Sequence, residues 1–203
     1  MKVESETKQK LLNTALDLIW EQSYGSVSVD DICKRAGLLK GSFYHFFHSK
    51  SDLAVATLEF YWQQLRRPQL DQIFSPQVAP LERFKLYSDQ LYQNQKDRQE
   101  KIGRVCGCPI NSLGSEVSAH DEKILAKSQE VTARVRTYFE SALRDAQREG
   151  LWQGDNIPGK AMELYSMVTG TLLQARINNN LDMIKGIEPA LWRLLGLKDK
   201  VTA

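Results

Sequence analysis

Ser28-Val-Asp-Asp-Ile-Cys-Lys-Arg-Ala-Gly-Leu-Leu-Lys-Gly-Ser-Phe-Tyr-His-Phe-Phe47 reads as two short helices and the turn between them. Ser28 precedes Asp31 at the spacing where a hydroxyl caps a free backbone N–H and a carboxylate meets the positive helix end. Gly37 closes the first helix, because glycine accepts the positive φ that a tight turn needs. A second short apolar segment, Lys40 to Phe47, follows. Ile32 and Ala36 are expected to pack on Phe43 and Phe47. That packing turns Lys40, Ser42, Tyr44, His45 and His48 outward. A helix pair of this kind is a helix-turn-helix, and cationic, polar and aromatic groups on its second helix suit the major groove of DNA. Short helix pairs around a glycine also occur in proteins that bind no DNA, so local charge has to weigh in.

The whole chain is nearly neutral, at +2 over 203 residues. The neutrality is an average. From Cys33 to Lys50 there are four cations (Lys34, Arg35, Lys40, Lys50), two histidines and no carboxylate, whereas the first 32 residues are acidic on balance. Such an asymmetry points to an anionic partner.

Working outward, nearly every segment repeats its apolar residues at spacings of three and four. Leu11, Leu12, Ala15, Leu18 and Ile19 form one stripe in a helix from Glu6 to Tyr24. Ser49 to Asp52 repeats the cap pattern and opens a helix that Pro68 is expected to close. Residues 68–80 hold Pro68, Pro76 and Pro80 and read as a linker or broken joint. Helices are then expected over Leu81–Arg98, Pro109–Ser118, Asp121–Glu149, Gly159–Asn179 and Ile184–Leu195, with a glycine-rich break at residues 103–108. No strand alternation of useful length appears. The fold class is all-α, with about nine helices.

Composition excludes several classes. Hydrophobic residues are 42% and charged residues 26%, ordinary for a globular chain. No apolar run approaches the roughly 20 residues of a membrane span. Residues 1–20 carry charges throughout and no signal-peptide core. Three cysteines, Cys33, Cys106 and Cys108, make no disulfide framework, which fits a reducing, cytoplasmic compartment.

The run Leu38 to Leu53, with Ser26 to Cys33 before it, resembles the signature of TetR/AcrR-type repressors. The likeness is dense over residues 8–58 and looser beyond. It implies a helix-turn-helix DNA-binding domain over residues 1–50. It also implies a linking helix with an effector-sensing, dimerising domain over residues 51–203. By the same resemblance Ser28 caps the second helix and touches phosphate. Lys40, Gly41 and Ser42 lie at the start of the recognition helix, Tyr44 and His45 face phosphate or base, and Lys50 grips phosphate. Cys33 stands where the family usually has alanine and reads as a small buried thiol. One short helix reads only a few base pairs, so a two-fold homodimer on a roughly palindromic double-stranded operator is expected.

The dimer is expected to form through the last two helices. Met162, Ser166, Thr169, Gly170, Leu173 and Ile177 share one side of the first. Ile184, Ile187, Leu191, Leu194 and Leu195 form a stripe on the second. Cys106-Gly-Cys-Pro109 is the other unusual feature. A thiol at Cys108, just before a helix start and near Lys101 and Arg104, is placed to be a thiolate sensor of electrophiles or oxidants. The stretch from Gly107 to Ser118 resembles a subgroup of the same family with Gly-Cys at this helix start, some members of which sense through the cysteine. A buried structural cysteine beside a non-covalent pocket is the competing reading.

Candidate pocket liners are Tyr87, Leu91, Cys106, Cys108 and Leu113 from one part of the chain. Val135, Phe139, Tyr165, Val168 and Leu172 are the others. They fit a small, mostly apolar effector. Cys106, Cys108 and His120 lack an evident fourth ligand for a metal, and His120 sits in a cap region with Ser118 and Asp121. Neither metal nor cofactor is expected, and no catalytic triad accompanies the thiols, so the chain does not read as an enzyme. An activator or architectural DNA-binding protein without effector stays open.

Overall fold

A computed structural model describes residues 2–22, 24–117 and 120–197. The expected helix end and cap role at Ser118 lie outside them. The described residues are mostly helical, with no strand among them: α1 (Lys2–Glu21), α2 (Val29–Ala36), α3 (Lys40–Phe46), α4 (Lys50–Tyr61), α5 (Arg67–Ile73), α6 (Pro80–Ile102), α7 (Pro109–Val117), α8 (Glu122–Arg148), α9 (Ile157–Ile177) and α10 (Ile187–Leu194). Taking α4 and α5 as one interrupted helix gives nine. The chain divides into two compact units. The first comprises residues 1–67 and 109–132; the second comprises residues 68–108 and 133–203.

In the first unit α1 packs on α2, α3, α4 and α7. The stripe read from the sequence is its core: Leu11, Leu12, Ala15 and Leu18 meet Val27, Ile32, Cys33, Ala36, Phe43, Phe47 and Leu53. Cys33 is one of these buried groups, and burial pushes its thiol up from the usual range. α7 lies close to α8. A methyl group on Gly114 would stand 2.9 Å from the Ser128 side chain, so only glycine permits that approach.

In the second unit the core is aromatic. Phe139 is fully buried, with its ring 5.1 Å from Tyr87, 5.5 Å from Phe84 and 5.7 Å from Phe74. Arg83, also buried, donates to the Val78 carbonyl and pairs with Asp145 at 2.6 Å, which satisfies its charge inside the bundle.

Two expectations need correction. Pro68 does not end the helical run, which continues to Ile73. The Trp62–Arg66 segment just before it is a π-turn, with the Arg67 N–H bonded to the Trp62 carbonyl. The wider turn lets α5 restart with Pro68 as its second residue, where a missing N–H breaks no bond. The stripe on the last helix does not face outward either. Ile184, Ile187, Leu191 and Leu195 are buried within their own chain, where α10 and the 3-10 turn before it (Leu181–Gly186) pack on α6 and α9. A helix this short turns most of its apolar face to its own bundle, with Leu194 left half-buried. α9 differs: Met162, Leu173 and Ile177 are 45%, 52% and 66% exposed, and Ser166 and Gly170 beside them are open.

Candidate nucleic-acid interface

The candidate interface is built from two helix ends and a buried ring. Ser28 caps α2 in a complete capping box: its Oγ accepts from the Asp31 N–H at 3.1 Å, and its own N–H donates to Asp31 Oδ2 at 2.8 Å. The Ser28 hydroxyl also donates to that carboxylate at 2.6 Å, which holds the Asp31 carboxyl below its ordinary 3.8. Gly37 ends α2 at φ +63°, with its N–H on the Lys34 carbonyl and the Leu38 N–H on Cys33. This is a Schellman closure, and it sets the angle at which α3 departs.

α3 buries Phe43 completely, and Phe47 follows it into the core. Tyr44 rests against Phe43, ring centroids 5.2 Å apart, and stands 54% exposed. Lys40, Gly41 and His45 are exposed with it, and Ser42 is half-buried. Lys40 also reaches Asp30 at 2.6 Å, an exposed pair joining the starts of α2 and α3. Ser28 and Lys50 are more committed. Both donors of Ser28 go to Asp31, and the Lys50 ammonium donates to the carbonyls of Tyr24 and Val27 at 2.9 and 2.8 Å. Lys50 also lies 4.1 Å from the centre of the Tyr24 ring. Burial there pushes the Lys50 ammonium down and, with Asp121, Glu116 and Asp52 around it, the Tyr24 phenol up to about 12.

The sequence reading missed Glu116. From α7 its carboxylate accepts from the backbone N–H groups of Tyr24 and Gly25 at 3.0 and 2.7 Å. The turn ahead of Ser28 is thereby held from one side by Glu116 and from the other by Lys50. The partners lie some ninety residues apart in sequence, so no local pattern announces the contact.

Residues 11–57, the core and reading segment of this unit, match the family model of bacterial regulatory proteins, tetR family. The chain is 31% identical over 171 residues to the transcriptional regulator AcuR of Cereibacter sphaeroides, covering 83% of this chain and 76% of that protein. The chain belongs to the TetR family. It is a transcriptional regulator, and members of this family are DNA-binding transcription factors rather than enzymes. The transcriptional repressor NemR of Escherichia coli is 25% identical, with 90% of each chain aligned. A solved regulatory protein TetR from Rhodobacter sphaeroides superposes with a TM-score of 0.81 at 29% identity, over 92% of this chain and 97% of that one.

In the second unit of this TetR-family chain, residues 103–108, which carry Cys106 and Cys108, form a strap. Buried Gln95 clamps that strap: its Oε1 accepts from the N–H groups of Cys106 and Gly107 at 3.1 and 2.9 Å, and its Nε2 donates to the Gly107 carbonyl at 2.9 Å. Asn179, after α9, accepts from the Val105 N–H at 2.9 Å. Gly107 takes φ +71°, and a Cβ there would lie 3.4 Å from the Arg176 side chain and 3.5 Å from the Leu172 carbonyl. The two thiols are therefore unlike. Cys106 is fully buried and donates to the Arg104 carbonyl, whereas Cys108 is partly exposed. Tyr87, Leu91, Val135, Phe139, Tyr165, Val168 and Leu172 are all buried in this unit. Leu113, also buried, belongs to the first unit, as does His120. Among the described residues no three His, Cys, Asp or Glu side chains are grouped to hold a metal.

Proposed function

We propose that this chain is a homodimeric repressor that binds a roughly palindromic operator and is released by a small-molecule effector or by modification of a cysteine. The observation that carries the reading is the two-faced α3. Phe43 is fully buried beneath it, while Lys40, Tyr44 and His45 stand outward on the one stretch rich in cations and free of carboxylates. In this reading residues 1–50 read DNA and residues 51–203 sense and dimerise. Lys40, Tyr44 and His45 meet phosphate and base edges, and Gly41 and Ser42 let the helix tip approach. Ser28 and Lys50 fix the two helix starts, Lys50 keeping its third N–H for phosphate.

The dimer is proposed through the last two helices. The exposed Met162–Ile177 face of α9 supports this, since apolar surface of that kind on a soluble chain marks a contact site. The half-buried Pro189, Ala190 and Leu194 of α10 would lie at its edge. Of the two thiols in the strap, partly exposed Cys108 is the one a reagent reaches, and the buried apolar residues around Phe139 are the proposed effector lining. No helix among the described residues is long and apolar enough to cross a membrane, and the proposed site of action is the cytoplasm, where the DNA is.

The test is a gel shift with the promoter beside the chain's own gene. Lys40→Ala with Tyr44→Ala, both exposed positions, is expected to weaken binding at least about tenfold and to flatten its salt dependence. Undiminished binding by that variant would overturn the placement of the interface. N-ethylmaleimide treatment is expected to lower operator affinity of the wild type and not of Cys108→Ser. Equal loss in both removes the cysteine from the switch.

A further inference from the structure

We propose that Leu39 is a specificity residue, making apolar contact with the 5-methyl group of a thymine in the major groove. The inference rests on the DNA-binding reading above and names one base feature which that surface selects. Leu39 is 81% exposed, more than any other large hydrophobic side chain among the described residues. Single exposed leucines are common, so exposure alone decides nothing. The position does.

Leu39 is the residue from which α3 starts, with extended backbone at φ −80° and ψ 152°, and it makes no side-chain cap bond. The helices on either side are both capped by serine: Ser28 accepts from Asp31 N–H and Ser49 from Asp52 N–H. Only the reading helix of the three places a leucine there, a residue type among the poorest at helix starts. The surroundings are open. A Cβ added at Gly41 would meet nothing within 4 Å, and Lys40, next in the chain, and Tyr44, on the same short helix, are both exposed. Nothing in the first unit covers the side chain.

A recognition helix meets base edges with its N-terminal residues. Along the floor of the major groove the thymine 5-methyl is the apolar group, and the other edges present donors and acceptors. A leucine against thymine buries both apolar groups. Against any other base it strips water from a polar edge and offers no bond in return, so the preference is built from attraction and rejection together.

The experiment starts from a random duplex pool, from which sites are enriched with the full-length wild-type protein. In the enriched duplex each thymine is replaced in turn by deoxyuridine, which removes only the methyl group. At one position in each half-site the replacement is expected to weaken wild-type binding about fourfold per half-site. The same replacement should change binding by Leu39→Ala less than about twofold, and Leu39→Met should restore most of the sensitivity. If every deoxyuridine affects wild type and Leu39→Ala alike, the proposal is overturned and the DNA-binding reading stands. If no duplex is enriched at all, the DNA-binding reading itself fails and takes the proposal with it. Leu39 packs on nothing that the substitutions would unsettle, and an unchanged thermal midpoint of Leu39→Ala checks that both proteins compared are folded.

Discussion

The turn between α2 and α3 and the strap between α6 and α7 look alike in sequence. Each is a short irregular segment with a glycine in the left-handed region, Gly37 at φ +63° and Gly107 at +71°. They are held in opposite ways. The α2–α3 turn closes on itself: Gly37 and Leu38 bond carbonyls three and five residues back, and Ser28 and Asp31 cap the helix that feeds it. The strap closes on distant side chains, Gln95 from α6 and Asn179 from beyond α9, the latter 74 residues away. A segment whose bonds are local can be read from its own residues. A segment held by remote amides shows only its glycines, and these say that something bends without saying what fixes the bend.

The comparison breaks first if the reading segment is less self-contained than this. Phe43 is the one side chain of α3 that is wholly enclosed. Phe43→Ala should destabilise the protein by about 3–5 kcal/mol, since a phenyl ring leaves a cavity that the short helices cannot collapse into. Urea unfolding followed by circular dichroism reads this directly. A loss under about 1 kcal/mol would mean that α3 is held from outside, as the strap is.

The strap makes the second test. Gln95→Leu keeps the volume and removes the amide, leaving the N–H groups of Cys106 and Gly107 buried and unpaired. Each orphaned donor costs about 1–3 kcal/mol, so a loss on the order of 2–4 kcal/mol is expected. Cys106, wholly buried in the wild type, should then react with a thiol reagent under native conditions, as measured by intact mass. An inert Cys106 in a destabilised Gln95→Leu would show that core packing, and not the amide clamp, seats the strap.

The same contrast explains what was legible. Ser28, Gly37 and Ser49 announce helix ends because their chemistry acts within a few residues, and the spacing of Ile32, Ala36, Phe43 and Phe47 announces a core because helical periodicity is local. Lys50 reads as a phosphate contact only through the family resemblance, and its bonds to the Tyr24 and Val27 carbonyls leave no mark in the local sequence. Glu116 went unseen for the same reason. Pro68 misled because a proline signals a break unless the turn before it widens, and nothing in Trp62–Arg66 declares a π-turn. The stripe on α10 misled because an apolar face looks the same whether its partner is a second copy or its own bundle.

The smallest effect sharpens the local half of the comparison. Ser28→Ala removes the cap at α2, for a loss of about 1 kcal/mol at neutral pH. The loss should depend on pH with a definite sign. The Ser28 hydroxyl and N–H hold the Asp31 carboxyl below its ordinary 3.8, so the carboxylate stabilises the folded state above that value, and the contribution falls away as pH drops through the lowered folded value. Without the hydroxyl the Asp31 carboxyl moves back toward its ordinary range and that part of the pH dependence shrinks. Wild type and Ser28→Ala should therefore converge between about pH 5 and the acid limit of folding. They should not meet, because the bond from Asp31 N–H to the serine oxygen involves no ionising group. Urea midpoints of both proteins at several pH values give the two curves. A constant gap would mean that the helix start is held by the serine oxygen alone, with the Asp31 carboxylate contributing nothing to the closure that aims α3.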